Sequence, residues 1–578
     1  MSRPVHSKLS IGLIGCLLLL LMLPNALWLW FAPGISAWVE ALILPVVLLA
    51  VWFALLGDCL WLACLLLAPF AALAPLEAFY IAQYHHPTSA EVIATLVATN
   101  PRETREYLGS LLFPLLLCMA VGLALALAAA WSSRHGKWTW KNRARAWIVT
   151  IALATPLAAA IVAASSARGG AAVRGHAGIT TLASLAAVVT QGFPFGVIPR
   201  VQEYRAEWLQ MRADAAKLDA FRFHARRVET LHHRQVYVLV IGESSRRDRW
   251  QLFGYDRATN PELSRMKNLV LIPRMLASWP ESITAIPLVL TRKPITSTSP
   301  EWHEASILRA VQEAGFETYW ISNQLAIGKF DSPVSTYAYE AQHVEWLNLN
   351  HASWTAPGSY DEDLVRPLRD ALKDSDKDLF IVLHMMGSHL SYDFRYPESY
   401  RRFRPILSEH GTHTSDGERM YNSYDNTILY TDHVLARIIG VLRDSKAVTA
   451  MWFLSDHGET LPTPTCDKAG HGIGSRYEFQ VPALFWYSDA FAQVFPARLA
   501  NLRANADKRT LSADTFESLI DMTGVTFPGH DETWSLFSPQ WHYRPRIVNP
   551  IWQTDYDKSV FGGHCEIVLP PDATPRPN

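Results

Sequence analysis

Five apolar stretches crowd the first third of this chain, and they fix the kind of molecule it can be. They run over roughly 9–31, 37–57, 59–82, 108–131 and 146–167, each close to the ~20 residues a helix needs to cross a bilayer. Within a single segment only a helix satisfies every backbone N–H and C=O in hydrocarbon without water, so apolar runs of this length read as spanning helices. The first contains Pro24 and Asn25, lacks a small-x-small cleavage pattern and leads at once into further apolar runs. It therefore reads as an uncleaved anchor rather than a signal peptide.

Positive charge on short loops sets the orientation. Arg3 and Lys8 precede the first span and place the N-terminus in the cytoplasm. Arg134, Lys137, Lys141, Arg143 and Arg145 crowd the loop between the fourth and fifth spans, which five crossings put on the same side. Everything after the fifth span is then expected outside the cytoplasm. The stretch Gly178–Val197 is apolar as well, and a sixth crossing there would return the rest to the cytoplasm. Thr180, Thr181, Ser184, Thr190, Gln191 and the Gly192-Phe193-Pro194 break favour a helix lying in the interface instead.

Beyond about residue 168 the composition becomes that of an ordinary globular protein, so averages over all 578 residues describe neither part. The net charge of −1 argues against a nucleic-acid binder, whose footprint would be a basic domain. The expected division is 1–168 as a membrane domain, 169–231 as an interfacial linker and 232–578 as a catalytic domain. In the linker Glu203, Arg205, Glu207, Arg212, Asp214 and Lys217 alternate with Leu and Ala, the pattern of a solvated connecting helix. Cys16, Cys59, Cys64 and Cys118 fall in the spans as small apolar side chains. Cys466 and Cys565 fall outside them, where an oxidising compartment permits a disulfide that their spacing does not decide.

Continuous apolar runs at 235–241, 318–322, 379–384 and 449–454 predict buried strands, with helical patterns such as Ser306–Ala314 and Tyr424–Leu442 between them. That alternation predicts a mostly parallel sheet covered on both faces. Two of the runs stop abruptly at chemistry. One ends in Gly242-Glu243-Ser244, the other in Ser455-Asp456-His457-Gly458-Glu459. Ligands gather beyond the carboxyl ends of strands in such sheets, so Glu243, Asp456 and His457 are expected on one rim with oxygen and nitrogen donors suited to zinc.

A helix cap or turn is the bland explanation of Asp-His-Gly-Glu taken alone. Two further histidines in loop-like settings, His389 in Gly387-Ser388-His389 and His471 in Gly470-His471-Gly472, weaken it. Ser282 opens a helix-like run, Ile283–Leu290, and a hydroxyl touching zinc can attack phosphorus near neutral pH. A plain N-cap is the competing role for Ser282, and Thr284 is the rival nucleophile.

In this order the motifs resemble the bacterial phosphoethanolamine transferases, membrane-anchored members of the alkaline phosphatase and sulfatase superfamily. Longer stretches are similar to the CptA/EptC type acting on the lipopolysaccharide core, among them Leu252-Phe253-Gly254-Tyr255, Phe316–Gln324, His389–Pro397, Tyr421–Asn426 and Ser538-Pro539-Gln540. The resemblance implies a five-span helical domain followed by an α/β/α, alkaline-phosphatase-like periplasmic domain in the inner membrane of a bacterium. It makes Glu243, Ser282, Asp456 and His457 ligands of one zinc ion, with room for a second. Ser282 stands where the family usually has its nucleophilic threonine. His389 and His471 match histidines that contact the phosphoryl group, move protons or hold a second zinc. Lys329 matches a lysine near the substrate phosphate, and Thr95, Thr99 and Glu103 match membrane-proximal residues that seat the lipid headgroup, with Thr95 replacing an asparagine. The implied reaction moves phosphoethanolamine from phosphatidylethanolamine through an enzyme ester on Ser282 to a core heptose or phosphate of lipopolysaccharide, by a monomer.

Alternatives from other classes are lipid A or a periplasmic glucan as acceptor, a phosphodiesterase or sulfatase-type hydrolase, and a non-catalytic scaffold. A formylglycine sulfatase needs a Cys/Ser-x-Pro-x-Arg setting that Ser282-Ile283-Thr284-Ala285-Ile286 does not supply. A scaffold would predict lost ligands, and every expected position carries a competent side chain.

Overall fold

A computed structural model describes residues 3–31, 38–84, 87–88, 90, 92–93, 97, 111–151, 192–229, 231–297, 303–326, 332–348, 358–409, 416–548 and 554–571. The chain divides into two compact units, Met1–Ala206 and Glu207–Asn578.

The first unit is helical. It comprises α1 (Arg3–Phe31), α2 (Val39–Leu55), α3 (Leu60–Leu66), α4 (Ala68–Tyr84) and α5 (Leu112–His135). By length and apolar content α1 and α5 each suffice to cross a membrane, and α3 with α4 forms a third crossing bent by 42°. The stretch read as a second span forms α2, which is shorter than a full crossing. The fifth stretch beyond residue 151, and Gly178–Val197 up to residue 191, lie outside the described residues.

Small side chains hold this unit together. Ala63, Cys64, Ala71, Ala126 and Ala129 are fully buried among Leu17 and Leu21. A Cβ on Gly122 would sit 2.2 Å from the carbonyl oxygen of Ala71, so only glycine lets α4 and α5 approach this closely. Without a hydrophobic drive between helices in lipid, such backbone approach and buried polar contacts supply the packing. One buried contact is the side chain of Asn25, which donates to Phe193 O at 2.7 Å and accepts from Phe193 N at 3.0 Å. Another is the ion pair of Arg200 with Glu77 at 3.0 Å, both nearly inaccessible.

A 23-residue helix, α6 (Val197–Asp219), leads toward the second unit. There a seven-stranded sheet forms from β1 (Gln235–Gly242), β2 (Leu269–Leu271), β3 (Glu317–Ser322), β4 (His343–Trp346), β5 (Leu379–His384), β6 (Val448–Ser455) and β7 (Ala483–Tyr487). The order across it is β2-β7-β6-β1-β5-β3-β4. The five strands from β6 to β4 run parallel; at one edge β7 is antiparallel to β6, and β2 is in turn antiparallel to β7.

Successive side chains of a strand point to opposite faces, and β1 shows what this does. Tyr237, Leu239 and Ile241 enter one core, which also takes Val289 and Leu290 of α7 (Ser282–Leu290) and Leu308 of α8 (Ile307–Glu313). Val236, Val238 and Val240 enter the other, with Leu368 of α9 (Val365–Asp374) and Ile428, Leu435 and Ile439 of α10 (Asp416–Asp444). Two cores on one sheet make an α/β/α sandwich, the arrangement that continuously apolar parallel strands predict. The long strands coincide with the four apolar runs of the sequence.

The register aligns the strand ends. Ile241 faces His384 and Gly242 faces Ser455. The carboxyl ends of β1, β5 and β6 therefore open side by side, and the residues that follow share one rim.

Candidate active site and metal centre

Glu243 leaves β1 and Asp456-His457 leave β6, so the rim receives two carboxylates and an imidazole from adjacent strands. All three are buried. His457 Nε2 lies 3.3 Å from Glu243 Oε1 and 3.5 Å from Asp456 Oδ2. The other ring nitrogen, Nδ1, sits 2.7 Å from the carbonyl oxygen of Gly458, an atom that only accepts. In the neutral ring the proton is thus held on Nδ1, and Nε2 turns its lone pair to the carboxylates.

Local backbone brings these groups close. Ser244 takes a left-handed φ of 54°, a conformation uncommon outside glycine, and this turns the chain directly after Glu243. Gly387 has φ +54°, and a Cβ there would lie 2.7 Å from Glu243 O and 2.8 Å from Glu243 N. Glycine at that point is what allows the Gly-Ser-His loop to pack on the Glu243 backbone.

Ser282 comes from the opposite layer. It is the first residue of α7, and Glu281 occupies the N-cap position. The Ser282 hydroxyl therefore caps nothing. Its Oγ donates to Glu243 Oε2 at 3.0 Å and lies 3.2 Å from His457 Nε2. Thr284 Oγ1 turns back into the helix and donates to Glu281 O at 3.1 Å. The geometry gathers Glu243, Ser282, Asp456 and His457, and leaves Thr284 out of the cluster.

The donor set fits a cation. Ligand atoms of Glu243, Asp456 and His457 all lie within 4.8 Å of one another. Asp456 Oδ1 accepts from His457 N at 2.7 Å and from Ser244 N at 3.2 Å, while Oδ2 is buried with no hydrogen-bond partner. Burial, and then the neighbouring Asp456 carboxylate, raise the Glu243 carboxyl well above the usual carboxylate range. Two carboxylates this deep need a positive partner, and two oxygens with an imidazole nitrogen are donors that suit zinc. A second group, His457, Glu459 and His471, meets the same distance limit.

His389 and His471 face the same opening, a cavity of about 240 Å³ lined also by Glu281, Gln324, His384 and Trp346. The rings of His389 and His471 stand 5.9 Å apart, and those of His457 and His471 4.5 Å. His471 Nδ1 lies 3.3 Å from buried Glu459 Oε2. Burial, the largest influence, works against a charge on His471, but the Glu459 hydrogen bond together with the charges of Glu459 and Glu243 outweighs it and the pKa stands above its ordinary value. Burial pushes His384 down to about 4, with Asp456 opposing the shift. Thr95, Thr99, Glu103 and Lys329 lie outside the described residues.

Three neighbours escaped the sequence reading as site residues. Gln324 donates to Met385 O at 2.9 Å and reaches Glu243 Oε2 at 3.4 Å. Glu459 also accepts from Tyr392 OH at 3.2 Å. His384 ends β5 beside Glu243. Glu459 closes the Asp-His-Gly-Glu motif and was the one with a signal to follow. A disulfide joins Cys466, in the loop that carries His471, to Cys565.

The sulfatase family model matches residues 235–525, and that of the phosphoethanolamine transferases EptA/EptB matches residues 46–184. The chain is 26% identical over 529 residues to "Phosphoethanolamine transferase EptC" of Escherichia coli O18:K1:H7 (strain RS218), covering 88% of this chain and 87% of that one. It is 27% identical over 538 residues to "Phosphoethanolamine transferase CptA" of Salmonella typhimurium, with the same coverage of 88% and 87%. Among solved structures, the C-terminal periplasmic domain of EcEptC from Escherichia coli, in complex with zinc, matches at TM-score 0.52 and 25% identity. That match covers 62% of this chain and 97% of that one.

Proposed function

The chain belongs to the sulfatase family and within it to the phosphoethanolamine transferases, and from that premise we propose that it carries phosphoethanolamine from phosphatidylethanolamine to lipopolysaccharide, with a core heptose or its phosphate as acceptor. The observation that carries this reading is the position of Ser282 Oγ, 3.0 Å from Glu243 Oε2 and 3.2 Å from His457 Nε2. A hydroxyl held there, rather than spent as a helix cap, is placed to act as a nucleophile.

Glu243, Asp456 and His457 would hold zinc, with Ser282 beside it. When bound, zinc lowers the pKa of a neighbouring hydroxyl and offsets the charge of phosphoryl oxygens. In the first half-reaction Ser282 Oγ bonds to phosphorus and the bond to the diacylglycerol oxygen breaks. The proton lost by the serine and the proton gained by diacylglycerol pass by way of His389 and His471, groups of the type suited to transfer near neutrality. In the second, an acceptor oxygen takes the phosphorus, its proton leaves by the same histidines, and Ser282 is restored. The start of α7 turns backbone N–H groups to the phosphoryl group, which favours its charge.

Residues 1–168 serve as the anchor in the inner membrane and 232–578 as the periplasmic catalytic domain. A lipid donor and a glycolipid acceptor lie at one membrane surface, which gives the apolar helices their purpose. Lys329, Thr95, Thr99 and Glu103 complete the substrate path in this reading, and the protein acts as a monomer.

The test supplies the purified protein with zinc, labelled phosphatidylethanolamine and lipopolysaccharide. Modified glycolipid and diacylglycerol in equal amounts are expected. Free phosphoethanolamine without modified glycolipid would mean that water is the acceptor and would refute the transferase.

A further inference from the structure

The residue directly before Ser282 has no task in the helix it begins. Glu281 occupies the N-cap of α7 with extended backbone, φ −146° and ψ 135°, yet makes no side-chain cap hydrogen bond. Its main-chain carbonyl takes the helix contacts instead, accepting from Ala285 N at 2.9 Å and from Thr284 Oγ1 at 3.1 Å. The carboxylate reaches toward the loop that carries His471, where a Cβ built on Gly472 would stand 2.9 Å from Glu281 Oε1. Among the described residues that carboxylate has no hydrogen bond or ion pair. Glu281 is exposed, and it lines the same cavity as Ser282, His389 and His471.

Among the described residues the lining of that cavity holds two carboxylates, Glu243 and Glu281, three imidazoles and no lysine or arginine. Glu243 is committed, since its oxygens accept from Ser244 at 2.8 Å and from Ser282 at 3.0 Å. Glu281 is not. Zinc on Glu243, Asp456 and His457 would offset the phosphoryl oxygens, but it leaves the Glu281 carboxylate uncompensated beside the attacking oxygen, where the favoured ligand brings a positive charge of its own. Ethanolamine does so, because its ammonium lies two methylene groups from the phosphate oxygen. The same cavity is also lined by Ile286, Leu325, Val334 and the ring of Trp346, a surface that suits the methylenes and a cation.

We propose that Glu281 selects the donor headgroup, its carboxylate pairing with the ammonium of the phosphodiester bound at Ser282, with Trp346 as the aromatic side of the same pocket. The assignment rests on the transferase reading above. It gives the cavity a specificity for a small cationic headgroup that no metal ligand supplies. A charge-assisted hydrogen bond of this kind corresponds to about a tenfold effect on binding.

The test compares two donor lipids on the full-length, zinc-loaded protein in detergent. They are phosphatidylethanolamine and phosphatidylpropanol, of similar shape but without the ammonium. The wild type should prefer phosphatidylethanolamine by about tenfold in kcat/KM, with the difference in KM. Glu281→Gln should bring the two lipids to within about twofold, by raising KM for phosphatidylethanolamine. Glu281→Asp should keep part of the preference, and zinc content equal to wild type in both variants separates lost selectivity from misfolding. A Glu281→Gln protein that retains the full preference overturns the assignment while leaving the transferase intact. A wild type that acquires no phosphoethanolamine on Ser282 overturns both.

Discussion

Ser282 Oγ and His457 Nε2 lie 3.2 Å apart although 175 residues separate them in the chain. One residue opens a helix on the first face of the sheet, and the other follows β6, next to the central strand β1. Their approach means that the start of α7 is docked on the rim where β1 and β6 end. The site is therefore as rigid as the packing of Val289 and Leu290 beneath it, which are fully buried.

That placement sets the expected behaviour of Ser282 variants. Ser282→Ala should lower kcat by about 10³-fold or more, since it removes the attacking atom and leaves binding intact. Ser282→Thr keeps the hydroxyl, and measurable transfer should survive. Steady-state kinetics with phosphatidylethanolamine and lipopolysaccharide checks both.

Zinc should stabilise the second unit through the orphaned oxygen of Asp456. At about 100 times its Kd, a bound ion adds about 2.7 kcal/mol to stability. Asp456→Asn removes the Oδ2 that lacks a hydrogen-bond partner and should lower zinc content as measured by elemental analysis. A chelator should depress the melting temperature of the wild type and leave that of the variant nearly unchanged.

Much of this site was legible because the chemistry sits where apolar strands stop. Glu243 follows the eight buried residues of β1, and Asp456 follows β6, so the sequence itself marks both strand ends. The same logic recovers β3 and β5. It fails for β2 and β4, three and four residues long, whose runs are too short to stand out from loops, and it also leaves out the five-residue β7. Glu459 was marked by its place in the Asp-His-Gly-Glu motif, whereas Gln324 and His384 were not legible as site residues. Their part depends on which loops the sheet brings together, as when Gln324 reaches Glu243 across 81 positions of sequence. The shortness of α2 was equally hidden, because an apolar run limits the length of a helix only from above.

Glu340 gives a pH dependence away from the rim. Burial raises its carboxyl to about 7, although Ser306 donates to it from both N and Oγ. Between about pH 4.5 and 7 the folded chain holds a proton there that the unfolded chain has lost. Stability therefore falls as pH rises across that window and levels off above it. Glu340→Gln should flatten this slope, worth about 3 kcal/mol over the window. Denaturant titrations at pH 5 and pH 8 on both proteins measure it.

The Cys466–Cys565 disulfide closes a loop of 99 positions. Constraint of the unfolded chain over such a length is worth about 4 kcal/mol. Cys565→Ser should lose roughly that much stability in denaturant titrations under oxidising conditions. A reductant should bring the wild type down to the level of the variant.

The most direct test of the central claim is the intact mass of the zinc-loaded protein after incubation with phosphatidylethanolamine alone, followed by peptide mapping. One phosphoethanolamine group is expected, carried on Ser282 and absent from Ser282→Ala. An adduct on Thr284, or no adduct while diacylglycerol still accumulates, would contradict that claim.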